Sequence, residues 1–533
     1  MTAHLAELLS RAAEEAPDRV ALVDAASGRR VTWAQLDEEV DRVARGLNAA
    51  GLVAGYRVVV ALGNRIEFVT GYLGVLRAGL VAVPVNPRSA TGELVRLVAD
   101  CGARLVLADG ETVTTVRQAV AGIEDALVGA DEPLRTSTVV PRVVVVGAQP
   151  VPGETSYDDL VSAEGTDAAL SDDGERLAVL LYTSGTSGRP RAAMLTHRAL
   201  LANIDQADRV EPPMVTGDDV VLGVLPLFHV YGLNAVLGVV VRHRAKLVLA
   251  ERFDPEGTLD LIEDEACSVV PVAPPVFAHW RGVDALEERL GPVRVVLSGS
   301  APLAAEVIDE FTDRTGVPVH QGYGLTEAAP VVTTTLRSEK TEPGSVGSAL
   351  DGIELRLVDD ERVPLTGADL SDPGEIEIRG ANLFSGYWPD GADGPDEDGW
   401  WATGDVGVLD AAGDLHLVDR IKELVIVSGF NVYPTEVEAV LLEVPGVQEA
   451  AVIGAEDELT GEAVVAYVVP TEPEADRDEL AAAVHAHCGE RLARFKRPTR
   501  LEIVAELPHT GTGKVQKGRL RGQERRRTLG LLE

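Results

Sequence analysis

Lysine is nearly missing from this chain: Lys246, Lys340, Lys422, Lys496, Lys514 and Lys517 are the whole set, and the last four lie in its final quarter. Cysteine is scarcer still. Cys101, Cys267 and Cys488 stand far apart, which excludes a disulfide framework and a Cys-x-x-Cys metal site. No stretch approaches the roughly 20 uncharged apolar residues of a membrane span. The start, Met1-Thr2-Ala3-His4-Leu5, has no basic lead into an apolar run and meets Glu7 almost at once. That predicts no signal peptide and a cytoplasmic, reducing setting. Positive charge is outnumbered, 48 Lys and Arg against 85 Asp and Glu, for a formal net charge of −37. Binding to a nucleic-acid backbone needs clustered Lys and Arg and is excluded as a main role. Any site for an anionic nucleotide must instead be locally electropositive, through a metal ion, backbone N–H groups and a few basic side chains.

What is present is enough apolar material, 45% of 533 residues, for three or more cores at roughly 100–200 residues each. Thr32-Trp33-Ala34-Gln35 has capping-box spacing. Leu36, Val40, Val43, Ala44 and Leu47 make one helical stripe, with Gly51 as its stop. Val58–Leu62, Val81–Val85 and Leu105–Leu107 read as strands, separated by helical patterns around Phe68–Leu76 and Glu93–Val98. Alternation of this kind implies right-handed crossovers and a largely parallel sheet. The rhythm blurs after Gly110, apart from the strand Val143–Val146. It resumes at Leu177–Leu181, Val220–Leu225, Lys246–Leu249, Ser268–Val272 and Val293–Leu297, enough for a second α/β layer. From Ser345 to about Asp419 short alternating strands separated by Gly and Asp turns suit a small barrel-like β unit. Beyond Arg420, strands at Ala451–Ile453, Val464–Val469 and Leu501–Val504 with a helix at Arg477–Leu492 make a small α+β domain.

Five motifs carry chemistry. Tyr182-Thr183-Ser184-Gly185-Thr186-Ser187-Gly188-Arg189-Pro190-Arg191 follows an apolar strand. Its hydroxyls and glycines form a donor-rich loop of the kind that nests phosphate oxygens, without the spacing of a Walker loop. In Gln321-Gly322-Tyr323-Gly324-Leu325-Thr326-Glu327, glycines flanking a tyrosine let a flat ring approach, and Glu327 is a hard carboxylate suited to Mg²⁺. In Gly399-Trp400-Trp401-Ala402-Thr403-Gly404-Asp405, a carboxylate after a tight turn suits two ribose hydroxyls. Asp419-Arg420-Ile421-Lys422-Glu423 leads into Val427-Ser428-Gly429-Phe430, and Leu507-Pro508-His509-Thr510-Gly511-Thr512-Gly513-Lys514 ends a glycine-rich loop on a lysine. Taken singly, each motif also reads as an ordinary turn or a solvated loop.

In this order and spacing, from Pro17-Asp18 to Lys514, the five together closely resemble the adenylate-forming superfamily, which includes acyl-CoA synthetases, adenylation domains and luciferases. The resemblance implies an α/β fold: a large N-terminal domain of two α/β subdomains plus a β-barrel-like unit (1–419), a hinge (420–424) and a small mobile α+β domain (425–533). It implies that ATP activates a carboxylic acid to an acyl-adenylate, which then passes to coenzyme A. Thr183, Ser184, Gly185, Thr186 and Gly188 would hold phosphate. Tyr323, with Gln321 and Gly322 and beside Ser300, Ala301 and Pro302, would stack on adenine. Thr326 would reach the α-phosphate and Glu327 would hold Mg²⁺. Asp405 and Arg420 would take the ribose, Lys422 would be the hinge and Gly429 would line the coenzyme A tunnel. Lys514 would serve the first half-reaction, and His229, Val276, Gly299, Gly324 and Val331 would line the acyl pocket.

The pocket's small apolar residues favour a medium- or long-chain fatty acid, with aryl or arylalkenoic acids next. Loading of a carrier protein and silent nucleotide binding stay open as alternatives, as does the choice between monomer and homodimer. Two departures from the family pattern stand out. Pro190-Arg191-Ala192 replaces Pro-Lys-Gly, and His509 stands where arginine is common. The arginines at 519, 521, 525, 526 and 527 suit either anion contact or a solvated helix end.

Overall fold

The computed structural model describes residues 3–123, 139–167, 170–183, 191–301, 303–338, 342–359, 361–366, 372–420, 423–427, 430–457, 460–473, 476–510 and 513–528. By its contacts the chain divides into two units. The first comprises 1–184, 190–354 and 379–400, and the second 185–189, 355–378 and 401–533.

Two seven-stranded sheets build the first unit. One runs Thr155–Ser156, Arg142–Val146, Leu105–Asp109, Arg57–Ala61, Val81–Pro84, Leu177–Thr183, Arg191–Thr196. The other runs Val319–Gln321, Val295–Ser298, Val269–Val272, Val220–Gly223, Lys246–Leu249, Val20–Asp24, Arg30–Thr32. Each is parallel except for its last strand, which is antiparallel to its neighbour. Strands such as Val58-Val59-Val60 are fully buried. Helices cover both faces of a parallel sheet, so its sequence runs apolar without alternation. The helix Trp33–Ala49 carries the expected capping box, Thr32 with Gln35, and Gly51 follows it at φ +77°.

The grouping of strands differs from the sequence reading at Leu177–Thr183, which joins the first sheet beside Val81–Pro84. The early strand Val20–Asp24, which the sequence reading did not identify, joins the second beside Lys246–Leu249. Crossovers let the chain leave a sheet and return to it, so sequence order does not give spatial order.

In the second unit, Ile353–Val358 leads a four-stranded sheet continued by Gly374–Gly380, Trp401–Leu409 and Leu415–Arg420. A five-stranded sheet follows, centred on Gly461–Pro470 between Val447–Asp457, Val425–Val427 and the parallel strand Arg500–Ile503. Its pleat is legible in its two cores. Val464, Ala466 and Val468 pack with Val437, Leu441, Leu480 and Val484 from the helices Pro434–Leu442 and Arg477–Arg491. Val465, Tyr467 and Val469 face Leu507 and Leu520 on the other side. Side chains that alternate between two faces, both buried, give a strand rich in valine throughout. All three cysteines are buried and free.

Candidate active site

In an open parallel sheet, ligands gather outside the carboxyl ends of the strands. Val272, Ser298 and Gln321 lie in one register row at the ends of three adjacent parallel strands. The segments leaving that edge bring together Val276, Gly299, Ser300, Ala301, Gly322, Tyr323 and Gly324. His229 follows the neighbouring strand Val220–Gly223. Most of the first unit's expected residues thus share one edge.

Ser300 bears the clearest mark of a ligand site. Its φ is +74°, and its buried Oγ has no hydrogen-bond partner among the described residues. Strain and an orphaned hydroxyl in one non-glycine residue are costly, and such costs concentrate at binding sites. Gln321 is a clamp: its Oε1 accepts from Leu303 N–H at 3.0 Å, and its own N–H donates to Thr335 Oγ1 at 3.0 Å. Tyr323 is 7% exposed and its N–H donates to Thr333 Oγ1 at 3.2 Å. The glycines around it make room for the chain itself. A Cβ on Gly322 would lie 2.6 Å from Thr333 O, and one on Gly324 2.4 Å from Pro330 O. Both are needed for the returning segment 330–333, whatever ring approaches the tyrosine.

The turn Thr326–Ala328 presents Glu327, only 8% exposed. Phe384 N–H donates to its carbonyl at 2.9 Å, and Tyr387 Oη donates to its Oε1 at 2.6 Å. Buried amides lash the rest of the turn. Asn382 Nδ2 donates to Ala328 O at 2.7 Å and Asn234 Nδ2 to Ala329 O at 2.7 Å. Asn203 both donates to Val331 O at 2.7 Å and accepts from its N–H at 3.0 Å. Ala329 is thereby held at φ +65°. Among the described residues no cluster of three or more His, Cys, Asp or Glu could hold a metal. A single hard carboxylate nonetheless fits Mg²⁺, which commonly takes one or two protein carboxylates and completes its shell with other oxygens and water.

Among the residues expected to line the acyl pocket, Gly299 faces the Tyr231 ring, 2.7 Å from a would-be Cβ, and Tyr231 Oη donates to Leu297 O at 3.1 Å. Half-buried His229 accepts Tyr231 N–H at its Nδ1, 3.3 Å away, at the entry to a π-helical turn, Tyr231–Gly238. Gly324 bridges to Val331. Val276 belongs to the core packing that includes Phe277 and Trp280. Thr183 ends its strand opposite Arg191, its Oγ1 donating to Arg191 O at 3.4 Å. Ser184, Gly185, Thr186, Gly188, Pro302, Lys422 and Gly429 lie outside the described residues.

In the second unit Asp405 and Arg420 are register partners, with Nε to Oδ1 at 2.7 Å. Lys514 sits on a hairpin closed by Thr510 N–H donating to Lys514 O at 2.7 Å and by Lys514 N–H donating to Thr510 Oγ1 at 3.0 Å. Its ammonium is pushed below the ordinary lysine range by lost hydration first and Arg420 second, with Asp405 and Glu423 opposing. The residue still has an exposed surface, and the two carboxylates favour its charge. Three motifs far apart in sequence therefore meet in one electrostatic neighbourhood. His509 lies 3.4 Å from Glu449, and Arg527 pairs with Glu502 at 2.6 Å.

Sequence reasoning missed Tyr387 and the three asparagines, because their partners lie up to 128 residues away.

Comparison with known proteins identifies the family. Residues 9–388 match the model of the AMP-binding enzyme family, and residues 436–514 that of the AMP-binding enzyme C-terminal domain. The chain is 34% identical to a 4-coumarate–CoA ligase-like protein of Oryza sativa, over 97% of this chain and 92% of that one. It is 32% identical to a long-chain-fatty-acid–CoA ligase of Bacillus subtilis, over 98% and 94% respectively. The crystal structure of ATP-bound MatB from Rhodopseudomonas palustris superposes with a TM-score of 0.84 at 32% identity, covering 98% of this chain and 99% of that one. The chain belongs to the AMP-binding enzyme family, in its acyl-CoA synthetase branch.

Proposed function

We propose that the protein joins an apolar carboxylic acid to coenzyme A through an acyl-adenylate, using ATP and releasing pyrophosphate. The observation that carries the reading is the meeting of Asp405, Arg420 and Lys514. A carboxylate for ribose hydroxyls, a guanidinium beside it and a lysine within range of both match a nucleotide undergoing substitution at phosphorus.

A carboxylate resists attack by a thiol, because the new bond pushes charge onto oxygens that already carry it. Joining it to AMP supplies a leaving group. In that step charge concentrates on phosphoryl oxygens, so the protein's task is positioning and electrostatic stabilisation. Lys514 supplies mobile positive charge, and Thr326 reaches the α-phosphate. Glu327 would hold Mg²⁺, which offsets phosphate charge. Ser184, Gly185, Thr186 and Gly188 with Thr183 cradle the phosphates. Tyr323 and Ser300-Ala301-Pro302 border the adenine. We assign the first domain to 1–419, the hinge to 420–424 about Lys422, and the mobile domain to 425–533, with Gly429 beside the coenzyme A tunnel.

The acyl pocket lies among His229, Tyr231, Gly299, Gly324 and Val331. Its apolar lining favours a medium- or long-chain fatty acid first and an aryl or arylalkenoic acid second, classes that the two curated relatives' names also span. The test is an AMP-release screen over aliphatic and aromatic acids, with free coenzyme A against a carrier protein as acceptor. Release with fatty acids and free coenzyme A is expected. Release only with a carrier protein, or with no acid at all, would overturn the proposal.

A further inference from the structure

Arg191 occupies the place where the resemblance leads one to expect a lysine. It opens the strand Arg191–Thr196 just after the phosphate loop, and its own contacts show how it is used. Its Nη2 meets Asp393 Oδ2 at 2.7 Å, and its guanidinium lies over the Tyr387 ring, 3.7 Å from the centroid. That same tyrosine donates its hydroxyl to Glu327 Oε1 at 2.6 Å. The backbone fixes the tyrosine too. Segment 385–388 runs beside the strand Arg191–Thr196, with Ser385 N–H donating to Met194 O at 3.0 Å and Trp388 N–H to Ala192 O at 2.9 Å. Phe384 packs edge-on against Tyr387 at 5.0 Å while its N–H holds the Glu327 carbonyl. One short segment therefore grips Glu327 at both its main chain and its carboxylate.

We propose that Asp393, Arg191 and Tyr387 form a positioning relay that fixes the Glu327 carboxylate for the metal, with Arg191 acting through the tyrosine ring instead of on the triphosphate. The inference rests on the reading of Glu327 as the metal-binding carboxylate. A cation over a phenol ring draws electron density from it and makes the hydroxyl a better donor to a carboxylate. With Oε1 held by Tyr387, the carboxylate is fixed in the orientation in which it would meet a metal. A planar guanidinium lies over the ring while an edge N–H reaches Asp393, spreading its charge across the π face where an ammonium would present a point charge. Arginine in this position is therefore a working part of this chain. Groups that orient a metal ligand commonly contribute 10–100-fold in metal affinity (an order-of-magnitude range).

The experiment measures Mn²⁺ affinity of the full chain by electron paramagnetic resonance, in the presence of α,β-methylene-ATP, which cannot transfer its adenylyl group. The Mg²⁺ dependence of pyrophosphate exchange is measured in parallel. Tyr387→Phe is expected to weaken Mn²⁺ binding and raise the Mg²⁺ requirement by about tenfold or more, with most of the exchange rate restored at saturating Mg²⁺. Arg191→Gln, at a half-exposed position, is expected to do the same to a smaller degree, and it covers the case in which Tyr387→Phe fails to fold. Glu327→Gln is the control. If it weakens Mn²⁺ binding while neither relay variant does, the relay is wrong and the reading of Glu327 stands. If Glu327→Gln itself leaves Mn²⁺ affinity unchanged, the reading of Glu327 falls and takes the relay with it. Loss of exchange rate that saturating Mg²⁺ cannot restore, with Mn²⁺ affinity intact, also counts against the relay.

Discussion

The turn that carries Glu327 and the hairpin that carries Lys514 are built on opposite plans. Around Glu327 nearly every neighbouring carbonyl is claimed by a buried amide, and two glycines are pressed against backbone at distances no Cβ tolerates. Lys514 sits on a hairpin closed by hydrogen bonds of Thr510 with Gly513 and Lys514 and of Gln516 with Pro508, with exposed surface and charged neighbours. The first arrangement resists displacement. The second is held by interactions that re-form readily in water. The proposed two-step reaction would use both: a rigid seat for the metal and nucleotide, and a charge that is wanted in only one step.

The comparison can be broken most severely at Lys514. Lys514→Ala should slow pyrophosphate formation by about 10²–10³-fold, the effect of removing one preorganised donor from a developing charge, and it should leave thermal stability close to that of the parent. At the rigid end, Gly324→Ala places a methyl against Pro330 O and should destabilise the first unit by about 3 kcal/mol, the upper range for overpacking. Chemical denaturation would reveal it. A stable Gly324→Ala enzyme with normal exchange kinetics would mean that the turn is softer than its contacts indicate.

A smaller effect concerns pH. His4 and His197 are buried with ring centroids 3.8 Å apart and are pushed down to about 4 and about 3, chiefly by burial, with Arg176 adding and Arg77 also acting on His4. Unfolding frees them to bind protons near their ordinary value. The unfolded state then holds more protons between that value and the lowered ones, and stability falls as pH drops through this window. The loss is about 2 kcal/mol per histidine by pH 5. Both rings accept backbone N–H at Nδ1, so His197→Asn keeps an acceptor and should flatten the slope of stability against pH from 6.5 to 5. An unchanged slope would remove the histidines from the account.

How much of this was legible in the sequence follows from range. The capping box at Thr32 and the stop at Gly51 are local, and local chemistry settles them. The five motifs were legible because each is contiguous, and the parallel sheets because buried strands run apolar. The partition of strands between sheets was not legible, since Leu177–Thr183 and Val20–Asp24 cross to sheets that the neighbouring sequence does not indicate. Nor was Tyr387, whose meaning comes from a glutamate 60 residues away. The glycines flanking Tyr323 show the subtler failure. Their need was visible in sequence, but its cause, the backbone at Thr333 and Pro330, appears only in three dimensions.

The most direct test of the central claim separates the two half-reactions in one variant. Lys514→Ala should lose pyrophosphate formation from acid and ATP yet keep transfer to coenzyme A from supplied acyl-adenylate near the parent rate. Equal loss in both half-reactions would contradict an account in which this lysine serves only the first.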